Sequence, residues 1–248
     1  MLPTCTIRDI RAAFAEKFEN FNILAKDSES LSGSDTIEIF GASFIADEEA
    51  IFGSPNMDYV KHELEWYRSQ SLNVNDIPVM TPQIWKQVAS PGGFINSNYG
   101  YLVHNEKNGS QYKNVLNTLA ADPNSRRGNM IYTRPSIHKD WNTDGMSDFI
   151  CTNNVQYLIR DNKLHAVVNM RSNDAIFGFL NDYQWQRCVQ SDLALDILAK
   201  TGLDLELGTI HWQVASLHIY RRHFYLVDNF VKTGEININL SDYNKRLA

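Results

Sequence analysis

The sequence predicts an α+β protein built on one large, mainly antiparallel β-sheet covered by helices. Apolar residues recur at helical spacing in some segments and at period two in others. The two kinds of segment are mixed along the chain without a regular βαβ alternation. With 43% hydrophobic residues over 248 positions, the chain can bury a sizeable core. No repeat, low-complexity tract or linker divides it, so one catalytic-sized domain over residues 1–248 is expected.

Taken in order, Thr6-Ile7-Arg8-Asp9 reads as a capping box, and Ile7, Ile10, Phe14 and Phe18 follow on one helical face. Thr36 to Phe44 reads as a strand with Gly41 marking a bulge. A helix over Met57 to Arg68 carries the stripe Met57, Val60, Leu64 and Tyr67, with Glu63 on its flank. Cys151 to Ile159 and Leu164 to Arg171 read as a hairpin closed at Asp161-Asn162. Period two puts Cys151, Asn153, Val155 and Tyr157 on one face of its first strand. Trp185, Val189, Leu193 and Ile197 mark a long buried helix, followed by a strand over Gly208 to Leu217 and a helix over His223 to Lys232.

Composition excludes some functions. A net charge of −6 argues against general nucleic-acid binding, which wants a basic surface. A local arginine cluster for a small phosphorylated ligand remains compatible. The three cysteines, Cys5, Cys151 and Cys188, are too few and odd in number for a disulfide framework. The start, Met1-Leu2-Pro3-Thr4, opens no apolar signal core, and no stretch approaches the ~18 apolar residues of a membrane span. A soluble protein of a reducing cytoplasm is expected.

Several residues could carry chemistry. Cys151 opens the polar run Cys151-Thr152-Asn153-Asn154 and reads either as a buried structural thiol or as a nucleophile. The second reading needs positive charge nearby, and Arg171, at the end of the hairpin's other strand, would supply it if the register allows. Arg126 and Arg127 stand side by side in a turn after a helix, as a phosphate site or as a solvated surface pair. Arg171-Ser172-Asn173-Asp174 is a second set of phosphate-type donors beside a carboxylate, or a capping loop. His218 and Tyr220 share a strand face that suits a sugar hydroxyl or cross-strand packing. Together these point to an anionic, nucleotide-sized ligand, and the pattern goes no further.

The same segments resemble thymidylate synthase in order along nearly the whole chain. The motifs are His62-Glu63-Leu64-Glu65-Trp66, Asn98-Tyr99-Gly100, Asp122-Pro123-Asn124-Ser125-Arg126-Arg127, Arg171-Ser172 with Asp174, Gly178, and Leu217-His218-Ile219-Tyr220. The branch of that family most similar is the deoxycytidylate hydroxymethylases of T-even bacteriophages. Gly41-Ala42-Ser43-Phe44, Met146-Ser147-Asp148-Phe149, Val155 to Asp161 and Val168 to Asp174 carry that likeness. The resemblance implies the thymidylate synthase fold and a homodimer paired through its sheets. It implies 5,10-methylenetetrahydrofolate as cosubstrate, with no metal, no membrane and no direct nucleic-acid binding.

Residue by residue, the resemblance makes Cys151 the nucleophile at carbon 6 of the pyrimidine and Glu63 the organiser of water and proton transfers. Arg171 and Ser172 would hold the phosphate, joined by Arg126 and Arg127 of the other subunit. His218 and Tyr220 would contact deoxyribose, Asp174 the pterin, and Trp85 and Tyr99 would shape the folate pocket. At Asp182 the family's thymidylate synthases carry Asn, whose amide matches uracil. A carboxylate instead accepts from the amino group of cytosine and opposes the carbonyl of uracil, so Asp182 implies dCMP as substrate.

Two departures bear on the last step. Thr152 follows Cys151 where the family usually has His, and the chain ends in Lys245-Arg246-Leu247-Ala248 in place of an aliphatic tail that closes over folate. A less closed site would admit water, favouring hydroxymethyl over methyl as product. The rival readings are a reductive dCMP methyltransferase and, against Asp182, a thymidylate synthase. An idle nucleotide- or RNA-binding relative is opposed by the retained Cys151, Glu63 and arginines.

Overall fold

The computed structural model describes residues 5–27 and 36–247; the expectations placed on Met1 to Thr4 and on Ala248 lie outside the described residues. The elements in chain order are α1 (Ile7–Asp27), β1 (Thr36–Ile45), α2 (Met57–Ser69), α3 (Gln83–Val88), α4 (Tyr99–His104), α5 (Gln111–Ala121), β2 (Asn129–Ile131), α6 (Ile137–Asp140), β3 (Thr152–Arg160), β4 (Lys163–Asp174), α7 (Phe177–Thr201), β5 (Glu206–Tyr220), α8 (Phe224–Thr233) and α9 (Leu240–Leu247). The strands form a sheet in the order β1-β5-β4-β3-β2. β1–β5, β3–β4 and β2–β3 are antiparallel. β4 and β5 run the same way: His165 meets Thr209 near their starts, and Ala175 meets His218 near their ends. The sheet is therefore mixed, and α7 is the crossover that a parallel pair requires.

The chain divides into two compact units, residues 1–55, 172–184 and 211–248 forming one and residues 56–171 and 185–210 the other. In the first, Ile7, Ile10, Phe14 and Phe18 are all buried, as their spacing predicts. Phe18 meets Phe224 of α8 edge-on, and Phe14 meets Phe52 likewise. The Thr6 N–H and hydroxyl both donate to Asp9 Oδ2, at 2.8 and 2.9 Å, which makes half of the capping box. Gly41 takes a left-handed φ of 66° but marks no bulge. The register is the same on both sides of it, Phe40 opposite Ser216 and Ala42 opposite Val214.

In the second unit Trp185, Val189, Leu193 and Ile197 form a fully buried seam. The β3–β4 hairpin turns at Asp161 and Asn162, both at positive φ (51° and 59°), as a two-residue primed turn demands. A register shift falls between Thr152 and Asn154. It breaks period two, so Thr152, not Cys151 or Asn153, shares the buried face with Val155 and Tyr157. The α2 stripe is also rotated from its sequence reading: Val60, Glu63, Trp66 and Tyr67 are buried, Leu64 is half-buried and Met57 exposed. Where α4 crosses α2, a Cβ on Gly100 would lie 1.7 Å from the Tyr67 carbonyl oxygen, so only glycine fits.

Candidate active site

Glu63 sits on the inward face of α2, 4% exposed. The Tyr59 hydroxyl, one helical turn earlier, donates to Glu63 Oε1 at 2.5 Å. Trp85 of α3 aims its Nε1 at both Tyr59 Oη (3.1 Å) and Glu63 Oε1 (3.3 Å). Burial pushes the Glu63 carboxyl up to about 7, against the two hydrogen bonds that favour its charged form. A carboxyl poised there exchanges protons readily near neutral pH. The same burial and the facing carboxylate drive the Tyr59 phenol far above its usual range, so it remains a donor.

Cys151, half-buried, stands immediately before β3. The hairpin register brings the Arg171 N–H to the Cys151 carbonyl at 2.9 Å. The Arg171 guanidinium then reaches Sγ at 3.6 Å, donates to the Ile150 carbonyl at 3.1 Å and lies over the Phe149 ring. Positive charge beside a thiol favours the thiolate, the nucleophilic form. Three residues before Cys151, Asp148 is 6% exposed and accepts from the N–H groups of Asn96 (2.6 Å) and Ser97 (2.8 Å) and from the Ser97 hydroxyl (2.7 Å). Burial nevertheless holds its carboxyl above the usual range.

Tyr99 is buried, accepts from the Thr152 hydroxyl at 2.9 Å and stacks on Tyr67. Thr152 therefore completes a hydrogen bond inside the core. Arg126 and Arg127 are both exposed, in the turn after α5. The Ser125 hydroxyl accepts from the Arg127 N–H at 3.2 Å and shapes that turn. All of these residues belong to the second unit.

The first unit holds the others. Ser172 and Asp174 lie half-buried at the end of β4, and the Asp174 carboxylate accepts from the Ile176 N–H at 3.0 Å, closing the turn into α7. On α7, Asp182 Oδ2 accepts from the Asn173 amide at 2.7 Å. A Cβ on Gly178 would come within 3.1 Å of both Asn173 and Asp174, so the motif glycine leaves room for this turn. His218 and Tyr220, at the end of β5, meet edge-on with ring centroids 4.9 Å apart, and Arg222 lies over the Tyr220 ring. In α9, Arg246 donates to Asn229 of α8 at 2.8 Å and pairs with Glu235, while Lys245 pairs with Asp242. The charged tail is thus fastened within its own unit.

Sequence reasoning missed Tyr59 and Asp148, and it read Asn173 as a phosphate-type donor, whereas its amide donates to Asp182. The four-residue spacing of Tyr59 and Glu63 could have found the first. The partners of Asp148 lie about fifty residues away, where no local pattern reaches. Among the described residues no group of three or more His, Cys, Asp or Glu side chains could hold a metal, and no helix is long and apolar enough to cross a membrane.

The family model described as Thymidylate synthase matches residues 27–241. The chain is 58% identical over 218 residues to the Deoxycytidylate 5-hydroxymethyltransferase of Enterobacteria phage T4, covering 88% of this chain and 89% of the relative. Its counterpart from Enterobacteria phage T6 is 58% identical over 213 residues, covering 86% and 87%. A thymidylate synthase of Fusobacterium nucleatum is 31% identical over 166 residues, 65% of this chain and 56% of that one. Among solved structures, the thermostable thymidylate synthase A from Bacillus subtilis matches with a TM-score of 0.59 at 22% identity, covering 88% of this chain and 84% of the other, which shows the shared fold.

Proposed function

The chain belongs to the thymidylate synthase family, and on that premise we propose that it hydroxymethylates carbon 5 of dCMP, with 5,10-methylenetetrahydrofolate as one-carbon donor and water completing the transfer. The observation that carries the reading is the 58% identity, over 88% of the chain, to a relative named for that activity. The buried Glu63, with its carboxyl near neutrality, supplies the chemical support.

Cys151 attacks carbon 6 of the pyrimidine, which makes carbon 5 nucleophilic. The Arg171 guanidinium at 3.6 Å favours the attacking thiolate. Glu63 exchanges protons with water and base through the steps that follow. Asp182 accepts from the 4-amino group and supports protonation of the ring nitrogen as the thiol adds. Uracil would set a carbonyl oxygen against that carboxylate, and such mispairing discriminates by roughly 10⁴-fold or more.

Arg171 and Ser172 hold the phosphate, with Arg126 and Arg127 reaching it from the other subunit of a homodimer. Their exposure on the turn suits a contact made between chains. His218 and Tyr220 face the deoxyribose. Asp174, Trp85 and Tyr99 serve the folate side, where a half-buried carboxylate fits the ring N–H donors of a pterin. The folate supplies a carbon at the oxidation level of formaldehyde, and because water rather than hydride finishes the transfer it leaves as tetrahydrofolate. The work is that of one catalytic domain in the cytoplasm, that of an infected bacterium if the gene is viral.

Mass spectrometry of the nucleotide and folate products tests the reading. Hydroxymethyl-dCMP with tetrahydrofolate is expected. Methyl-dCMP with dihydrofolate would replace hydration by reduction, and a product from dUMP alone would remove Asp182 as the cytosine selector.

A further inference from the structure

We propose that Asn173 is a specificity-determining positioning residue, whose side-chain amide holds the Asp182 carboxylate in the setting that accepts the 4-amino group of dCMP. The inference rests on the assignment of Asp182 to the base, made above, and concerns how that residue is kept in place.

Asn173 is the penultimate residue of β4 and is 4% exposed. Its Nδ2 donates to Asp182 Oδ2 at 2.7 Å, joining the end of the strand to the early turns of α7 across nine residues. Its Oδ1 is buried and, among the described residues, accepts from no donor. A buried amide oxygen without a partner is unfavourable, yet turning the amide over would set that oxygen against the carboxylate. The orientation is therefore dictated by Asp182, and the orphaned oxygen is the consequence.

The surroundings fix the pair. Gly178 lies so close that a Cβ there would reach 3.1 Å from Asn173 Nδ2. Asp174, the next residue, caps the Ile176 N–H at 3.0 Å and holds the turn. An N–H donor on Oδ2 fixes the plane of the carboxylate and keeps that oxygen from swinging toward the base. Selection between an amino group and a carbonyl depends on that plane, since the acceptor must meet the amino group along its N–H.

The test is the ratio of dissociation constants for dCMP and dUMP on the full-length enzyme, with kcat/KM for dCMP and the melting temperature beside it. Loss of a hydrogen bond to a charged group corresponds to a fall of roughly 10- to 100-fold in the dCMP preference. Asn173→Ala should show that fall, and Asn173→Leu, which keeps the branching of the side chain without the amide, should show it as well. A residue that merely supported the fold would weaken both nucleotides together and leave the ratio where it was. A folded variant of either kind with the wild-type ratio overturns the proposal. Asp182→Asn separates the two layers. If it leaves the ratio unchanged, the assignment of Asp182 to the base has failed; if it shifts the ratio and the Asn173 variants do not, only Asn173 has.

Discussion

Two buried carboxylates in the same unit, Glu63 and Asp148, are 4% and 6% exposed, and burial raises both carboxyls. Their partners differ. Asp148 has both oxygens bound, Oδ2 by two backbone N–H groups and Oδ1 by the Ser97 hydroxyl. Glu63 is held by two side chains, and both reach the same oxygen, Oε1. A carboxylate tied on both oxygens, one of them by two backbone N–H groups, is a fastening, and it clamps the loop at Asn96 to the segment before Cys151. One tied on a single oxygen by side chains keeps the other for chemistry. Burial alone does not separate the two roles; the count and kind of donors does.

Four measurements put that contrast to the test. Glu63→Gln should lower the rate of product formation by about 10²- to 10⁴-fold, the usual range for a general acid–base group, in a protein that still folds. Asp148→Asn should act on stability instead, because an amide NH₂ would face donors that now have an acceptor. Each unsatisfied donor costs about 1–3 kcal/mol, so a loss of roughly 3 kcal/mol in denaturant unfolding is expected, with chemistry per folded molecule little changed. Comparable losses of rate in both variants, at equal stability, would erase the distinction.

The third measurement is stability against pH. The folded carboxyl of Glu63, near 7, lies above its ordinary value of 4.5. The native state thus binds more protons than the unfolded chain between those values, and stability falls as pH rises through that window. Glu63→Gln should therefore be neutral at pH 4 and stabilising by roughly 3 kcal/mol at pH 8. A melting-temperature difference independent of pH would contradict it. The smallest effect belongs to Tyr59→Phe. It removes a donor that favours the charged carboxylate, so the pH midpoint of the Glu63-dependent rate should move upward from about 7, by less than about one unit.

The legibility of the fold followed its locality. The seam of Trp185, Val189, Leu193 and Ile197 and the stripe of Ile7, Ile10, Phe14 and Phe18 are buried as their spacing predicts, because a helix converts sequence interval into direction with little help from the rest of the chain. The hairpin at Asp161-Asn162 was legible for the same reason. The inward turn of Glu63 was not, since hydropathy assigns a carboxylate to the flank of an apolar stripe. The hydroxyl of Tyr59 and the indole of Trp85 make its burial tolerable. The face of Cys151 was misread because a single extra residue between Thr152 and Asn154 reverses the parity of a strand.

The family, the residues at the motif positions and most of the elements could be read from the amino-acid order. These depend on residue type and short intervals, which the chain carries openly. Tertiary structure alone decided which of those residues meet: Arg171 beside Cys151, Trp85 over Tyr59 and Glu63, Asn173 against Asp182, and the backbone of Asn96 and Ser97 on Asp148. The physical reason is range. A hydrogen bond acts within about 3 Å whatever the separation along the chain, so only the packed strands and helices bring donor and acceptor to that distance.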